Sequence, residues 1–428
     1  MTNEELPDLK ELHSVLLVGV YQPSTDGKEQ CAESVAELER LAETYGLETR
    51  AKVLVPIKKF TAATMIGSGK VEEIAALVEE QKIDLVIFDD EITPHQQRNL
   101  EKAFKKSVMD RTELIIEVFA QRAQTREARL QIELAKVKYQ MPRLRRMWTH
   151  LSRQVSGGAG YLKGEGEKQI ELDRRMLRTR IVRLEKEIKE VSNQRQLQRT
   201  ARLRSQVPSF AIVGYTNSGK STLLKALTKA DILVEDKLFA TLDTTTRSYV
   251  LPNKQHILLI DTVGFIRKIP HSVVAAFKST LEEAVFTDIL LHIIDVSHPM
   301  ALVQAEASRK VLAELGAQDH PMITVLNKID LCNNTAILQK LRILYPKTVA
   351  ISALHGIGFE ELLQMMTKEI EALRTSLKLR IPQTHYALVS DIMREGRVIS
   401  LEYEENDILI HAEVPSNIKH KVVQFVYE

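Results

Sequence analysis

The stretch GYTNSGKST, Gly214 to Thr222, constrains the fold more than any other part of this chain. It follows the apolar run FAIV and opens the amphipathic run LLKALTKA, so Gly-x4-Gly-Lys-Ser sits between a strand and a helix. Glycines there let backbone amides converge on phosphate oxygens at a helix N-terminus, whose dipole favours anions. Lys220 would reach the β and γ phosphates, and the Ser221 hydroxyl would meet a Mg²⁺ ion. A strand–loop–helix unit of this kind needs a mostly parallel sheet covered by helices.

Three further motifs follow in order and give the loop a base and a chemistry. DTVG, Asp261 to Gly264, ends the run HILLI; Asp261 would hold Mg²⁺ through water and the Gly264 amide would touch a γ-phosphate. NKID, Asn327 to Asp330, ends the run MITVLN. The Asp330 carboxylate can accept from guanine N1–H and N2–H₂, whereas adenine leaves it unpaired, a strong discrimination. Asn327 would brace the loop, and Lys328 would lay its stem on the base. SAL, Ser352 to Leu354, would offer a backbone amide to guanine O6. The expected nucleotide contacts are Gly214, Tyr215, Thr216, Asn217, Ser218, Gly219, Lys220, Ser221, Thr222, Phe239, Ala240, Thr241, Leu242, Asp243, Asp261, Thr262, Val263, Gly264, Asn327, Lys328, Ile329, Asp330, Ser352, Ala353 and Leu354. Ser221 and Thr241 are the expected Mg²⁺ ligands, with Thr245 the runner-up to Thr241. Phe265 stands where many such switches carry a water-orienting Gln, so no catalytic residue is assigned and intrinsic turnover is expected to be slow.

The rest of the chain supplies strands and helices in two different rhythms. Residues 13 to 119 alternate strand and helix patterns, with Thr93 a helix cap and Pro94 at the first helical position. GSGK at Gly67 to Lys70 lacks the first glycine at the right distance and the following Ser or Thr; it reads as a plain helix N-terminus. From Phe119 the spacing becomes helical: Phe119, Ala123, Leu130, Leu134, Val137 and Met141, then Ile170, Leu177, Ile181, Leu184, Ile188 and Val191. Between them, residues 156–166 hold five of the 17 glycines. An antiparallel hairpin with a Gly-rich tip is expected, projecting roughly 45 Å. The expected divisions are an α/β subdomain (1–119), the hairpin (120–206), a doubly wound G domain (207–375) and a small α+β domain (376–428).

Charge singles out the hairpin. The chain as a whole is +2, yet residues 120–206 carry 22 Lys and Arg against 9 Asp and Glu, a net +13. Such a concentration points to a polyanion contact. Arg143, Arg145, Arg146, Arg153, Lys163, Arg174 and Arg175 are the RNA-binding candidates, with Trp148 and Tyr161 as possible stacking groups. The composition, 44% hydrophobic and 27% charged, is that of a globular chain. No run is long and apolar enough for a membrane span, and the acidic start MTNEELPDLKEL resembles no targeting peptide. Two cysteines, Cys31 and Cys332, in unrelated contexts argue against a disulfide framework or thiolate metal site, and a cytoplasmic location is expected. His256, His271 and His292 show no ligand spacing.

With these motifs in place the chain resembles the HflX family of ribosome-associated GTPases, within the translation-factor-related P-loop class. The resemblance rests on GSGKVEEI, FDDEITPHQQRNLE and DRTELIIEVFAQRAQTREARLQIELA. It continues in LSRQVSGGAG and GEGEKQIELDRRMLRTRI, and ends in GYTNSGKSTL, LFATLDTTTR, DTVGFI and NKID. The family pattern usually has Pro where Thr244 stands and Gly-Pro-Gly-Glu-Thr where this chain has GEGEKQ. The resemblance implies GTP and GDP as ligands, Mg²⁺ as cofactor, a monomeric factor and the large ribosomal subunit as partner. It further implies stimulation of GTPase activity by that subunit and a role in separating stalled or idle ribosomes. Two readings from other classes stand beside it: a GTPase of RNA processing or modification, and a regulatory GTP-binding module for protein partners.

Overall fold

A computed structural model describes residues 13–23, 27–143, 162–205, 207–229, 238–239, 244–268, 285–332, 334–373, 375–404, 406–414 and 416–427. The chain divides into two compact units. One comprises residues 1–193 with 233–244 and 263–282; the other comprises 194–232, 245–262 and 283–428.

The first unit begins with a four-stranded parallel sheet of order β2-β1-β3-β4. Its strands are β1 (Ser14–Tyr21), β2 (Glu48–Pro56), β3 (Leu85–Phe88) and β4 (Ser107–Asp110). The intervening helices are α1 (Gly27–Tyr45), α2 (Ser68–Glu80) and α3 (Pro94–Phe104). Strands β3 and β4 are buried along their whole length, as a parallel sheet covered on both faces requires. Helix α3 starts on a capping box, Thr93 and Gln96 bonding each other's backbone N–H, with Pro94 in the first turn.

Two helices follow, α4 (Arg111–Arg122) and α5 (Arg126–Gln140), and after the segment 144–161 comes the long α6 (Leu162–Ser205). The continuous seam expected from Phe119 to Met141 is therefore broken. The chain leaves the helix at Ala123, and Thr125 caps a new one by accepting from the Ala128 N–H at 3.2 Å. Phe119 belongs to α4, where its ring meets that of Phe239 edge-on at 4.4 Å. The seam proper is short: Leu134, Val137 and Leu184, flanked by Leu130, Leu177, Ile181 and Ile188. Helix α6 starts at Leu162, earlier than the expected loop end at Gly166.

Buried charge is concentrated in this unit. The Arg111 guanidinium, almost fully buried, donates to Asp89 at 2.8 Å and pairs with Glu37. Lys268 completes the cluster by pairing with Asp89 and Asp90, and Arg267 lies 3.5 Å from Glu37. Burial raises the Asp89 pKa, but Arg111 and Lys268 outweigh it and hold the carboxyl below its ordinary range.

The second unit is built on a six-stranded sheet of order β10-β9-β8-β5-β7-β6. Its strands are β5 (Ser209–Gly214), β6 (Thr245–Val250), β7 (His256–Asp261), β8 (Ile289–Asp295), β9 (Met322–Asn327) and β10 (Thr348–Ala350). All pairs are parallel except β6–β7 at one edge. The helices are α7 (Lys220–Thr228), α8 (Ala301–Glu314), α9 (Thr335–Leu344) and α10 (Phe359–Ala372). A small antiparallel sheet ends the chain: β11 (Thr375–Pro382), β12 (Arg397–Glu404) and β13 (Asp407–Val414), in the order β11-β13-β12. Helices α11 (Tyr386–Glu395) and α12 (Ser416–Val422) accompany it over a core that includes Leu379, Ile381, Val389, Ile392, Ile410 and Val422. Among the described residues no helix is long and apolar enough to cross a membrane.

Candidate nucleotide site

The loop from Gly214 to Gly219 joins β5 to α7 at the carboxyl end of the sheet, where open α/β sheets bind their ligands. Two of its glycines are demanded by geometry. Gly214 has φ +151°, and a Cβ there would lie 2.3 Å from the Ile293 carbonyl oxygen on the neighbouring strand. Gly219, at φ +94°, caps α7, and its Cβ would lie 2.2 Å from the Asn327 side-chain nitrogen. An L side chain at either place would be strained before it met its neighbour.

Lys220 is buried, and its Nζ donates to the Gly214 and Tyr215 carbonyl oxygens at 3.2 and 2.7 Å. Burial pulls its pKa down to about 8, with Asp261 opposing the fall. A phosphate would offer this ammonium the charge partner that loop carbonyls replace only in part. The Ser221 hydroxyl donates to Asp261 at 2.7 Å. Thr262, next along, donates from its hydroxyl to the Ile212 carbonyl at 2.7 Å and so pins the end of β7 to β5. Serine hydroxyl and carboxylate oxygens held this close are the hard donor set that Mg²⁺ takes. Among the described residues no group of three or more His, Cys, Asp or Glu forms a metal cluster.

Asn327 joins the phosphate loop to the base-reading loops. Its side-chain amide donates to the Ser218 carbonyl at 2.8 Å, and its oxygen accepts from the Ala353 N–H at 2.9 Å. One buried side chain therefore joins the loops Gly214–Lys220, Asn327–Asp330 and Ser352–Leu354. Lys328, in the left-handed region at φ 64°, pairs with Asp295 at 2.8 Å. The Asp330 carboxyl is held below its ordinary pKa, first by a hydrogen bond from the Ser352 hydroxyl, and so stays ionised for a donor ligand. Leu354 is exposed on the last of these loops.

Sequence reasoning did not pick out Asp295 or His355. Asp295 ends β8 within DVS, directly beside the strand that ends in Asn327, and this adjacency in the sheet was its only signal. His355 follows SAL in the sequence but reaches Asp330 only through the turn of that loop.

Several expected contacts fall elsewhere. Ala240, Thr241, Leu242 and Asp243 lie outside the described residues, as do Arg145, Arg146, Arg153, Trp148 and Tyr161. Thr245, the runner-up for the metal, is in β6, paired with Asp261 in the ladder. Phe239 and residues 263–282 belong to the first unit, and Phe265 there is a fully buried phenyl. It serves as packing, consistent with the absence of a water-orienting group at that position.

Arg143 is the clear correction. It is buried, its guanidinium stacked 3.6 Å over the Tyr139 ring. It donates to Gln97, to the Tyr139 and Ile92 carbonyls, and to Asp110 at 3.2 Å. An arginine buried in this way, with four of its five N–H donors spent inside the fold, does not face RNA; sequence position beside Arg145 and Arg146 concealed a turn that folds it inward. Arg174 and Arg175, by contrast, are exposed on α6. Lys163 lies in α6, but its side chain lies outside the described residues.

The chain matches three family models: a GTP-binding GTPase N-terminal model over residues 32–120, a GTP-binding GTPase middle-region model over 122–202, and a 50S ribosome-binding GTPase model over 209–328. It is 48% identical to the GTPase HflX of Chlamydia pneumoniae, across 96% of this chain and 88% of that protein. It is 43% identical to the GTPase HflX of Lacrimispora saccharolytica, across 97% and 96%. The GTPase HflX of Caldanaerobacter subterraneus is 42% identical over 99% and 95%.

Proposed function

The chain belongs to the HflX family of GTPases, and from that premise we propose that it is a GTP-driven factor for the large ribosomal subunit. The observation that carries the nucleotide half is the double hydrogen bond of Asn327, which ties the phosphate loop to the two guanine-reading loops. GTP binds with its phosphates over the Lys220 end of α7 and its base against Asp330. Ser221 directly, and the Asp261 carboxylate through water, would hold Mg²⁺, which when bound neutralises charge that develops on the phosphates. The fit of their oxygens to that ion supports the assignment. Thr241 is the proposed switch ligand.

Hydrolysis is slow in the isolated protein, because the residue after Gly264 is a buried phenyl that cannot orient water. The ribosome supplies the missing assistance, and the basic helix α6 is the RNA-facing element through Arg174 and Arg175. Separation of stalled or idle subunits is the outcome proposed for the GTP cycle.

Steady-state GTP turnover with and without purified large subunits tests this reading. Stimulation by the subunit, reduced by joint charge reversal at Arg174 and Arg175 with basal turnover intact, is the expected result. The reversal should also flatten the salt dependence of binding. Turnover indifferent to ribosomal particles would overturn the reading, and equal stimulation by free structured RNA would favour RNA processing.

A further inference from the structure

The turn that follows β10 has a fixed shape. Ser352 and Ile357 exchange backbone hydrogen bonds at 3.1 and 3.2 Å, closing a short loop around Ala353 to Gly356. Gly356 and Gly358 carry φ +72° and +77°, and a Cβ on Gly358 would lie 2.2 Å from the Ala350 carbonyl oxygen. Within this loop the His355 N–H donates to the Ser352 hydroxyl at 3.3 Å, and the same hydroxyl donates to Asp330. The His355 ring then returns toward the base site: its Nε2 lies 3.8 Å from Asp330 Oδ2. The histidine side chain is 56% exposed and the aspartate 17%, so the imidazole faces solvent on one side and the guanine-reading carboxylate on the other.

Resting on the guanine site proposed above, we propose that His355 is a positioning residue for the base, acting through Asp330. As an imidazolium it pairs with the carboxylate and weakens the bonds that guanine makes to it; as a neutral imidazole it leaves the full charge to N1–H and N2–H₂. The effect comes from charge on the oxygens, since lone pairs suffice for both. An ionised carboxylate offers about four acceptor sites, of which Ser352 takes one and guanine two. A cation on the remaining edge draws charge from the oxygens on which the charge-assisted bonds to guanine depend. The other charged group near Asp330 is Lys328, on the same loop after β9, and its ammonium is paired with Asp295 from the end of β8. Imidazole is the side chain whose charge changes across the range from about pH 5 to 8. Guanine-nucleotide affinity should therefore weaken on acidification in that range. An exposed pair of this kind is worth about a two- to five-fold change in affinity.

The test is titration of the full-length protein with fluorescent GDP at several pH values across that range. The wild type should lose about two- to five-fold in affinity toward acid. The His355→Gln variant should keep only the slope that Lys220 and the nucleotide phosphates contribute, and His355→Lys, which carries charge throughout, should show that same slope at an affinity lowered by the acid-side amount. The same pH slope in wild type and His355→Gln would overturn the proposal while leaving the guanine site standing. Failure of GDP to bind at any pH would overturn the guanine site itself, and the proposal with it.

Discussion

Two lysines in this chain follow glycine in nearly the same string, Gly-Ser-Gly-Lys at Lys70 and Asn-Ser-Gly-Lys at Lys220, and the two sheets use them in opposite ways. Lys70 lies in the first turn of α2, half-buried, with its ammonium on Glu73. The glycine that caps that helix has an ordinary φ of −67°, and a Cβ on Gly67 or Gly69 would meet nothing within 4 Å. Lys220 is buried, coordinated by the carbonyls of its own loop, and preceded by a glycine at φ +94° against which Asn327 is packed. The difference lies in what surrounds the string. Lys220 starts its helix six residues past the end of β5, which is central in its sheet, and a neighbouring strand delivers a side chain onto the loop. Eleven residues separate β2 from α2, and β2 is an edge strand. A phosphate site needs the converging backbone that the first arrangement builds and the second does not.

The sharpest way to break this comparison is to remove both ammonium groups in turn. Lys220→Ala should abolish detectable GTP binding by calorimetry, and Lys70→Ala should leave it within error. Base choice comes next. Asp330→Asn should shift preference from guanine toward xanthine nucleotides, whose 2-oxo group suits an amide donor, by roughly 100-fold in the affinity ratio measured by competition.

The glycines give a smaller but more diagnostic contrast. Gly219→Ala should weaken nucleotide affinity at least about ten-fold, because left-handed backbone strain and displacement of Asn327 together exceed about 1.4 kcal/mol. Gly69→Ala, in an open helical turn, should stabilise the protein by about 0.5 kcal/mol in urea unfolding.

A contrast that shows only toward acid concerns how each unit buries its polar groups. The first unit buries charges in pairs, Arg111 with Asp89 and Glu37. The second buries His292 in the middle of β8, with neither ring nitrogen hydrogen-bonded among the described residues and Tyr345 edge-on at 6.2 Å. Burial, with Arg309 and Lys220 adding to it, pushes the His292 pKa down to about 3. The folded state therefore binds the proton less readily than the unfolded chain. Stability from the neutral ring is complete above the unfolded value of about 6.5 and is lost as pH falls from there toward 3. At about pH 5 the loss is roughly 2 kcal/mol. His292→Leu should flatten the fall in melting temperature between about pH 7 and pH 5. An equally steep fall in the variant would assign the acid sensitivity to other groups.

Much of the nucleotide site was legible because its motifs are short and stand at strand ends. Strand, loop and helix around Lys220 could be read from local pattern, and Asp261, Asn327 and Ser352 stand at or just past the ends of β7, β9 and β10 of one sheet. The hairpin was harder. Apolar spacing from Phe119 to Met141 looked continuous, but Thr125 offered the backbone a cap and the helix restarted there. Arg143 read as one of a basic cluster, and only the turn after α5 delivered it to Asp110 and the Tyr139 ring.

Residue chemistry and local spacing by themselves determined that a phosphate loop exists in this chain, pointed to Asp330 as the carboxylate for the base, and showed that the basic charge is gathered in one segment. These depend on neighbours within a few residues, where the backbone leaves few alternatives. Tertiary structure alone decided that Asn327 bridges the loops, that Gly219 has no room for a methyl group, that His355 reaches Asp330, and that Arg143 turns inward. Those contacts join residues far apart in sequence, and their partners are selected by sheet order and packing, which no local pattern encodes.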